Sequence, residues 1–492
     1  MSEESITQDR LDSPMPETPS TGGCIASGIS WVVILGIVLF LFISVLYSQL
    51  APPDETQSIS GAELMNVNLV GRVLIGQSTI DPNSKENLLT QISQFNAGPV
   101  EQRYCYSIFV NELESADAAL EKIKATDDAV EKYGYELSTD QTRLRNIVSQ
   151  LLETYQSGEF DASVVPQADR DFLTAELGWC GKLALVPPGT PNQNERRAVM
   201  ASATRALWLM VGVVCLGIGL LLTGLVSIVV LLYLLAKGHI QSKMPSRSNR
   251  GSIYLETFAI WMFSFILLQL VSGWAADWIT DPLINQLLMP AAFFMSLVVL
   301  VWPVLRGIPF QDVREDIGWK MGNPFKEAIA GVIAYTALLP VLVCAAIVAV
   351  ILAALLSLMQ QTSEFGGGSS GGHPIQDDIA SGDLTTWMIV FFTACIAAPI
   401  IEETMFRGVF YRHLKDSTQR WGLYTSIAFA ALVNSLIFAA IHPQGIIGIP
   451  LLTTLAIGFS LTRQWRSSLI APMVMHAMNN GLVTCTLFLL MS

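Results

Sequence analysis

Charged residues are scarce in this chain. Aspartate, glutamate, lysine and arginine make up 14% of the 492 residues, whereas hydrophobic residues make up 51%. About a quarter of the residues of a typical soluble protein are charged, so the composition argues against a soluble globular protein. The net charge is −13, and no basic patch of the kind that binds nucleic acid is present. We therefore expect no nucleic-acid partner.

Cysteine and histidine are also rare, with seven and five residues. No CxxC spacing indicates structural zinc, and the chain contains neither an HExxH helix nor a P-loop. These absences argue against zincin-type metalloproteases and P-loop nucleotide hydrolases. Cys105 and Cys180 are the only cysteines of the large polar region, residues 51–205, and they could form a disulfide if that region is exported.

Long apolar runs, in contrast, are plentiful. Nine windows are long enough to cross a hydrocarbon core of about 30 Å. They are residues 31–50, 206–236, 253–274, 283–305, 328–358, 384–401, 424–441, 446–461 and 469–490. We therefore predict an all-α fold, a polytopic transmembrane helical bundle with about eight or nine spans and an inserted small helical extramembrane domain.

The windows divide the chain into five predicted regions. Residues 51–205 contain 22 acidic and 13 basic residues, a net charge of −9, and helical spacing of apolar residues in 111–124, 127–137, 140–155 and 167–177. The regions are a disordered acidic tail (1–27), a transmembrane anchor (28–50), an acidic helical extramembrane domain (51–205), transmembrane helices with short loops, including GGGSSGG (206–383), and a transmembrane core (384–492).

The first span is expected to be an anchor, because residues 1–27 carry five acids and one arginine, whereas a secretory signal begins with positive charge. Groups of lysine and arginine follow spans two, four, six and eight, which lie on one side of the membrane in a nine-span arrangement. The positive-inside rule makes that side cytoplasmic. We therefore predict a multi-pass protein of the cell membrane with a cytoplasmic amino terminus and an extracytoplasmic domain at residues 51–205. Arg196, Arg197 and Arg205 argue for the opposite orientation.

Three short patterns place ionisable groups inside apolar spans near the carboxyl terminus. The first is EETMFR, residues 402–407. Residues four apart lie on one face of an α-helix, so Arg407 is expected to pair with Glu403. Glu402 points about 100° away and is expected near the ring of Phe406. We interpret Glu402 as the candidate for catalysis and the other two charges as residues that brace the site.

The second pattern, FAAIH, ends at His442, and the third, HAMNN, contains His476 and Asn480. One charged residue at the centre of a membrane helix costs about 2.5–3.5 kcal/mol on the translocon scale, so one shared hydrated pocket explains these groups best. Each group alone has a simpler interpretation: an intrahelical ion pair, an interfacial histidine, or an amide hydrogen bond between helices.

EETMFR, FAAIH and HAMNN resemble the EExxxR, FxxxH and HxxxN motifs of the CPBP intramembrane proteases. That family includes the type II CAAX prenyl endopeptidases and the bacteriocin-immunity (Abi) proteins. The similarity covers roughly residues 385–490 and includes further segments such as APIIEE and FRGVFYRHL. The resemblance implies a helical membrane domain that hydrolyses peptide bonds of membrane-bound or lipidated substrates within or next to the bilayer.

Residue by residue, the resemblance implies that Glu402 and His442 activate the attacking water. His476 and Asn480 would stabilise the oxyanion of the tetrahedral intermediate. The family has been described both as glutamate-type and as metal-dependent. In a metalloenzyme the ligands would be Glu402, Glu403, His442 and His476.

We expect the glutamate-type version without a cofactor, because Arg407 beside Glu403 would compete with a cation. A simple zigzag of spans puts Glu402 and His442 at opposite membrane ends, so their meeting requires broken or re-entrant helices. The extramembrane domain has no counterpart in the minimal family, and we expect it to recruit a substrate or a protein partner. A non-catalytic scaffold, an immunity-type binding protein and a proton-coupled transporter are the alternatives to a protease.

Overall fold

The computed structural model describes residues 23–50, 59–245, 250–320, 322–359, 365 and 384–491. All regular secondary structure of these residues is helical, which confirms the all-α fold class. In chain order the helices are α1 (Cys24–Leu50), α2 (Gly61–Ile80), α3 (Lys85–Ile92), α4 (Val100–Leu113), α5 (Ala116–Tyr133), α6 (Thr139–Gln156), α7 (Gln167–Leu177), α8 (Trp179–Ala184), α9 (Gln193–Ala236), α10 (Ile253–Ala276), α11 (Pro282–Ser296), α12 (Trp302–Leu305), α13 (Phe310–Ile317), α14 (Pro324–Met359), α15 (Leu384–Ser417), α16 (Leu423–Ala440), α17 (Gly445–Arg466) and α18 (Ile470–Met491).

The described residues contain eight helical segments that are long and apolar enough to cross a membrane. They are α1, α9, α10, the segment of α11 and α12, α14, α15, α16 and α17. The ninth predicted span forms α18, which has 22 residues. Large apolar side chains such as Leu39, Val226, Leu270 and Ile351 are exposed along these helices. This surface suits contact with lipid, as a polytopic membrane bundle requires.

Two helices extend beyond the predicted spans. α1 begins at Cys24, so residues 24–27 of the predicted tail are helical, while residues 1–22 and the GGGSSGG stretch lie outside the described residues. α9 has 44 residues and is therefore about 66 Å long. Because this length exceeds the hydrocarbon core, the first part of α9 continues into the extramembrane domain. The predicted boundary at residue 205 falls inside this one continuous helix.

The extramembrane domain has its own apolar core, built mainly from α2, α4, α6 and α8. α2 packs closely along α9, since a Cβ on Gly76 would lie 2.4 Å from the carbonyl oxygen of Ala203. The predicted helices 111–124 and 127–137 are replaced by α4 and α5, which differ in their bounds. Ser115 caps the amino terminus of α5, and Gly134 ends this helix in the left-handed conformation. The helical spacing of apolar residues continues past both Ser115 and Gly134, so the helix ends predicted from this spacing were wrong.

The two cysteines of this domain, Cys105 on α4 and Cys180 on α8, are fully buried and free. Their thiols lie in hydrogen-bonding contact, and burial raises the pKa of the Cys180 thiol. The sequence-based expectation that these residues can pair therefore stays a prediction about an oxidising environment.

Phe365, between α14 and α15, packs into the extramembrane domain. Its ring centroid lies 4.6 Å from that of Tyr135, and the guanidinium of Arg103 lies 4.7 Å from the Phe365 ring centroid. Phe365 therefore belongs to the apolar core of this domain.

At the opposite end of the bundle, Asp316 of α13 joins the basic groups of several helices. Its Oδ2 accepts hydrogen bonds from Arg250 Nε at 3.0 Å and from the Tyr254 hydroxyl at 2.8 Å, and its Oδ1 lies 3.4 Å from an Arg412 nitrogen. Its carbonyl oxygen accepts from Arg412 and from Arg463, each at 3.0 Å. Asp316 thus connects the start of α10 with α15 and α17.

Close helix packing places the last four helices together. α14 approaches α18 and α17 through glycines: a Cβ on Gly331 would lie 2.6 Å from the Ala471 carbonyl oxygen, and one on Gly458 would lie 2.5 Å from the Leu338 side chain. α16 packs along α17, and α15 packs against α10 and α18. The motif-bearing helices therefore form one bundle with α10 and α14 around them.

Candidate active site

α15 carries the EETMFR motif at a point where its helical winding changes. Two π-helical segments, Thr393–Ala397 and Glu403–Phe410, flank a short α-helical stretch that contains Pro399. Proline cannot donate a backbone hydrogen bond, and π-helical turns are wider than α-helical ones and are often found at functional sites. The irregular winding therefore surrounds Glu402.

The predicted span 384–401 was too short, because α15 continues to Ser417 and has 34 residues. Arg407, Arg412 and Lys415 follow Glu402. Because these charges lower the local hydropathy, the predicted span ended before them. In the structure all three are buried against protein instead of lying in water. Glu402 consequently lies near the middle of α15 and meets the turn after α16. The prediction of a broken or re-entrant helix at Glu402 is wrong, because α15 is continuous there and only its winding changes to π-helical.

Three side-chain atoms converge, one from α15, one from the turn after α16 and one from α18. Oε2 of Glu402 lies 3.9 Å from Nε2 of His442 and 3.9 Å from Nε2 of His476. The Glu402 and His442 side chains are 17% and 18% exposed, whereas His476 is 8% exposed. In the described residues, Oε2 of Glu402 is buried and has no hydrogen-bond partner in the protein. A buried carboxylate oxygen without a partner is costly, which makes Glu402 a candidate functional residue.

The second glutamate, Glu403, binds both a cation and an imidazole. Its Oε1 accepts hydrogen bonds from Arg407 at 3.0 Å and from His476 Nδ1 at 2.9 Å. Glu403 and Arg407 are completely buried, and their four-residue spacing forms the ion pair that the sequence predicts. A buried guanidinium is tolerated only with a charged partner and further hydrogen bonds. The pair therefore neutralises Arg407 and orients His476.

Arg407 is enclosed by groups from neighbouring helices. It donates a hydrogen bond to the Ala456 carbonyl oxygen at 3.2 Å. Its guanidinium lies 4.6 Å from the ring centroid of Phe438, 5.1 Å from that of Phe459 and 5.8 Å from that of Phe406. These distances are those of cation–π contacts. Arg407 is thus held by α16 and α17 as well as by its own helix.

The two histidines are held by their Nδ1 atoms. His442 Nδ1 lies 2.5 Å from the Phe438 carbonyl oxygen, which can only accept, so Nδ1 carries the proton. His476 Nδ1 donates to the Glu403 carboxylate in the same way, and its ring stacks on Phe459 with a centroid distance of 5.2 Å. With Nδ1 held in this way, each ring turns its Nε2 towards Glu402.

Asn480 lies one helical turn beyond His476 on α18, as their four-residue spacing predicts. The amide nitrogen donates to the Ala394 carbonyl oxygen at 2.8 Å, and Oδ1 accepts from Asn479 at 3.2 Å. Neither partner belongs to the cluster of glutamates and histidines. The contact joins α18 to the first π-helical segment of α15, a hydrogen bond between helices.

Sequence reasoning did not find Ala456 and Phe459 of α17, which contact Arg407 and His476. Ala456 acts through a backbone carbonyl, which every residue has, so no side-chain signal exists for it. Phe459 lies in an apolar run where a phenylalanine is expected for packing alone. Only the approach of α17 to α15 and α18 reveals their roles.

The four residues of the proposed metal set do not fit a metal centre in this structure. Glu403 already binds Arg407 through Oε1, so a cation would compete with the guanidinium. The carboxylate oxygen and each histidine Nε2 are 3.9 Å apart, whereas two ligands of tetrahedral zinc at about 2.0–2.1 Å lie about 3.3 Å apart. The described residues contain no group of three or more His, Cys, Asp or Glu side chains placed to hold a metal ion.

Comparison with known proteins agrees with this site. Residues 384–482 match the family model described as type II CAAX prenyl endopeptidase, Rce1-like. Residues 384–482, here termed the CPBP domain, are therefore similar to the CPBP family. The match includes Glu402, Glu403, Arg407, His442, His476 and Asn480, so all six predicted site residues lie in the CPBP domain.

The CPBP domain is also similar to a curated protein, the membrane-embedded CAAX protease MroQ of Staphylococcus aureus (strain USA300). The two are 32% identical over 95 residues, which is 19% of this chain and 38% of MroQ. The chain thus matches about two-fifths of the length of this relative. No solved structure matches the chain. Helices α1 to α14, including the extramembrane domain, lie outside the CPBP match.

Proposed function

We propose that this protein is an intramembrane endopeptidase of glutamate type that hydrolyses peptide bonds of membrane-associated or lipidated substrates. The observation that carries the proposal is the convergence of Glu402 Oε2 with Nε2 of His442 and of His476, each at 3.9 Å. With a neutral His442, Oε2 of Glu402 and Nε2 of His442 present lone pairs to one space. A water molecule there has two O–H groups to donate and is thereby oriented for attack.

In the proposed reaction, Glu402 and His442 act as general base. One of them takes a proton from the water, and the water oxygen bonds to the carbonyl carbon of the substrate, whose oxygen becomes an oxyanion. The proton then passes to the leaving amine as the carbon–nitrogen bond breaks, which restores both side chains. Positioned proton transfer of this kind contributes about 10²- to 10⁴-fold to the rate.

His476 is proposed to stabilise the oxyanion. Its Nδ1 donates to the Glu403 carboxylate, which fixes the ring so that a proton on Nε2 is aimed at the oxyanion. Asn480 is proposed to assist with the N–H that does not bond to Ala394, since an amide nitrogen carries two hydrogens. Glu403 and Arg407 keep this donor in place.

The substrate class follows from the surroundings of the site. Glu402 lies in α15 and His442 in the turn after α16, and both side chains are less than one-fifth exposed. The neighbouring helices expose apolar side chains on their outer surfaces. A peptide reaches such a site by lateral approach from the bilayer, which favours substrates anchored by a lipid or by an apolar segment. The matched family and MroQ are both described as CAAX peptidases, which supports the same class of lipidated or membrane-bound substrates.

The experiment compares peptide cleavage by the detergent-purified full chain, the Glu402→Gln variant and a control, Glu121→Gln, which alters an exposed carboxylate of α5. The substrates are fluorogenic peptides with a prenyl group or a membrane anchor, each tested with and without EDTA. Circular dichroism establishes that all three proteins are folded. We expect cleavage by wild type and control, and at least about 10²-fold slower cleavage by Glu402→Gln.

Equal cleavage by Glu402→Gln and wild type would exclude the proposed mechanism. Loss of activity in EDTA with recovery on adding zinc would establish a metalloenzyme instead. If wild type cleaves no peptide, and wild type and Glu402→Gln bind the peptides with equal affinity, the scaffold or binding function would be established. Substrate flux in proteoliposomes without cleavage would establish the transporter.

We further propose that the amino terminus is cytoplasmic and that the acidic extramembrane domain is extracytoplasmic, where it contacts the substrate or a protein partner. Lysine and arginine after even-numbered spans support this orientation. A membrane-impermeant maleimide on intact cells should label Glu121→Cys of this domain but not Arg420→Cys, which is exposed at the opposite end. Labelling with the reverse pattern would invert the orientation.

A further inference from the structure

The carboxyl-terminal end of α1 contacts the turn that carries His442. Gln49, buried on the last turn of α1, donates from Nε2 to the Gln444 carbonyl oxygen at 3.1 Å. Its Oε1 accepts from the backbone N–H of Ile446 at 3.3 Å. One amide side chain thus binds both a carbonyl and an N–H on either side of Gly445, although these residues lie more than 390 positions away in the chain.

Gly445 is shaped to receive this amide. Its φ angle is +59°, in the left-handed region that favours glycine. A Cβ at this position would lie 2.2 Å from Nε2 and 2.3 Å from Oε1 of Gln49. Backbone conformation and close contact therefore both require glycine, and the Gln49 amide fills the space beside it.

Two further contacts explain why this turn matters. The backbone N–H of Gly445 donates to the His442 carbonyl oxygen at 3.4 Å, so the turn and the histidine move together. Farther along α1, the ring of Trp31 meets that of Phe410 of α15 edge to face, with centroids 5.9 Å apart. α1 is therefore packed against the bundle along its length, and Gln49 is a fixed point and not a frayed helix end.

We infer that Gln49 is a positioning residue that holds the turn at residues 442–446 and so keeps Nε2 of His442 facing Glu402. The inference rests on the proposed endopeptidase function for its kinetic consequence. It adds an element to the catalytic unit, because α1 lies outside residues 384–482. A protein reduced to the CPBP match alone would lack this support.

The first test measures the turn itself. Hydrogen exchange of the full chain in detergent is compared for wild type, Gln49→Ala and Ser48→Ala, which alters the exposed neighbouring residue of α1. We expect Gln49→Ala to speed exchange at least about threefold in peptides covering residues 441–450 while exchange elsewhere stays unchanged. Unchanged exchange in residues 441–450 would overturn the inference, whether or not the protein cleaves peptides.

The second test measures catalysis. Gln49→Ala is expected to lower kcat about tenfold with KM unchanged, because a misplaced base slows proton transfer without removing substrate contacts. It should also alter the pH dependence of kcat, which Ser48→Ala should leave as in wild type. Gln49→Glu, which keeps the acceptor for Ile446 but loses the donor to Gln444, should be intermediate.

Two results would overturn the positioning role, and a third would reject the proposed function on which its kinetic part rests. The first is an unchanged kcat in spite of faster local exchange. The second is a general loss of protection and thermal stability with proportional losses in all kinetic constants, which would indicate a structural role only. The third is an inactive wild type, which rejects the proposed function and with it the kinetic part, while the exchange result still decides whether Gln49 holds the turn.

Discussion

Oε1 of Glu403 accepts a hydrogen bond from Nδ1 of His476 at 2.9 Å, although the two residues lie on different helices, 73 positions apart. The same oxygen accepts from Arg407 at 3.0 Å. A carboxylate bound to Nδ1 fixes the tautomer of a histidine and supports a positive charge on the ring. The contact therefore links the ion pair within α15 to the imidazole on α18.

If the protein is the proposed endopeptidase, replacing Glu403 by glutamine is expected to lower kcat about 10²- to 10⁴-fold and to alter its pH dependence, because a neutral amide holds the Nδ1–H of His476 less firmly than a carboxylate does. Steady-state cleavage kinetics of folded protein measure this, with Glu121→Gln as the surface control. His476→Gln leaves the Glu403–Arg407 pair in place and should lose a similar factor. Wild-type kcat and pH dependence in both variants would contradict the role of this hydrogen bond.

Replacing Arg407 by methionine should destabilise the protein by about 3–5 kcal/mol, because it leaves the buried Glu403 carboxylate without its cation. Arg143→Met is the matched control. Arg143 forms a similarly short ion pair with Asp169, but the two side chains are 42% and 29% exposed, so its loss should cost less than about 1 kcal/mol.

Thermal unfolding in detergent compares these two variants with Glu403→Gln/Arg407→Met, in which both charges are removed. The double variant should recover part of the loss, since no unpaired buried charge remains. An equal effect of Arg407→Met and Arg143→Met would show that burial does not govern the strength of these pairs.

Asp316→Asn is expected to destabilise the end of the bundle opposite the extramembrane domain by about 3–5 kcal/mol, because Asp316 is 1% exposed and binds Arg250 and Arg412. Asp312 on the same helix also pairs with Arg250 but is 36% exposed, so Asp312→Asn should cost less than about 1 kcal/mol. Thermal unfolding of both variants distinguishes them. Similar midpoints for the two would mean that Asp316 is not the residue that joins these helices.

Stability of the extramembrane domain should fall as the pH rises, owing to Glu101 of α4. Burial raises the pKa of Glu101, while the hydrogen bond from Gln141 opposes this shift. A carboxyl group with a raised pKa binds its proton more tightly in the folded state. Its contribution to the free energy of unfolding is therefore complete below the pKa of the unfolded chain and is lost as the pH rises through the pKa of the folded protein.

Glu101→Gln should consequently stabilise the domain near pH 7, since glutamine keeps the acceptor oxygen for Gln141 without a charge. Hydrogen exchange of α4 and α6 at about pH 5 and about pH 8, corrected for intrinsic rates, measures the local opening free energy. The wild type should lose protection between these values, and Glu101→Gln should lose less. A loss of the same size in the variant would assign the pH dependence to another group.

Local spacing was enough to predict much of this site. The Glu403–Arg407 pair follows from a four-residue interval on one helix, and the apolar windows located nearly every membrane helix. The prediction failed at the end of α15, where charged residues were taken to mark the end of the span. Arg412 and Lys415 are buried by protein, so α15 continues well beyond its apolar run. Asn480 shares a helix face with His476, but its partner Ala394 is a backbone carbonyl without a signal in the sequence.

The sequence by itself determined an all-α membrane bundle, the helical domain between α1 and α9, and the six residues that carry the family motifs. These features depend on composition and on short intervals along a helix, whose geometry is the same in every protein. The tertiary structure alone decided that Glu402 meets two Nε2 atoms, that Glu403 holds His476, and that Gln49 reaches the turn after His442. Such contacts join distant positions and depend on the packing of whole helices, including their π-helical winding, which no local pattern records.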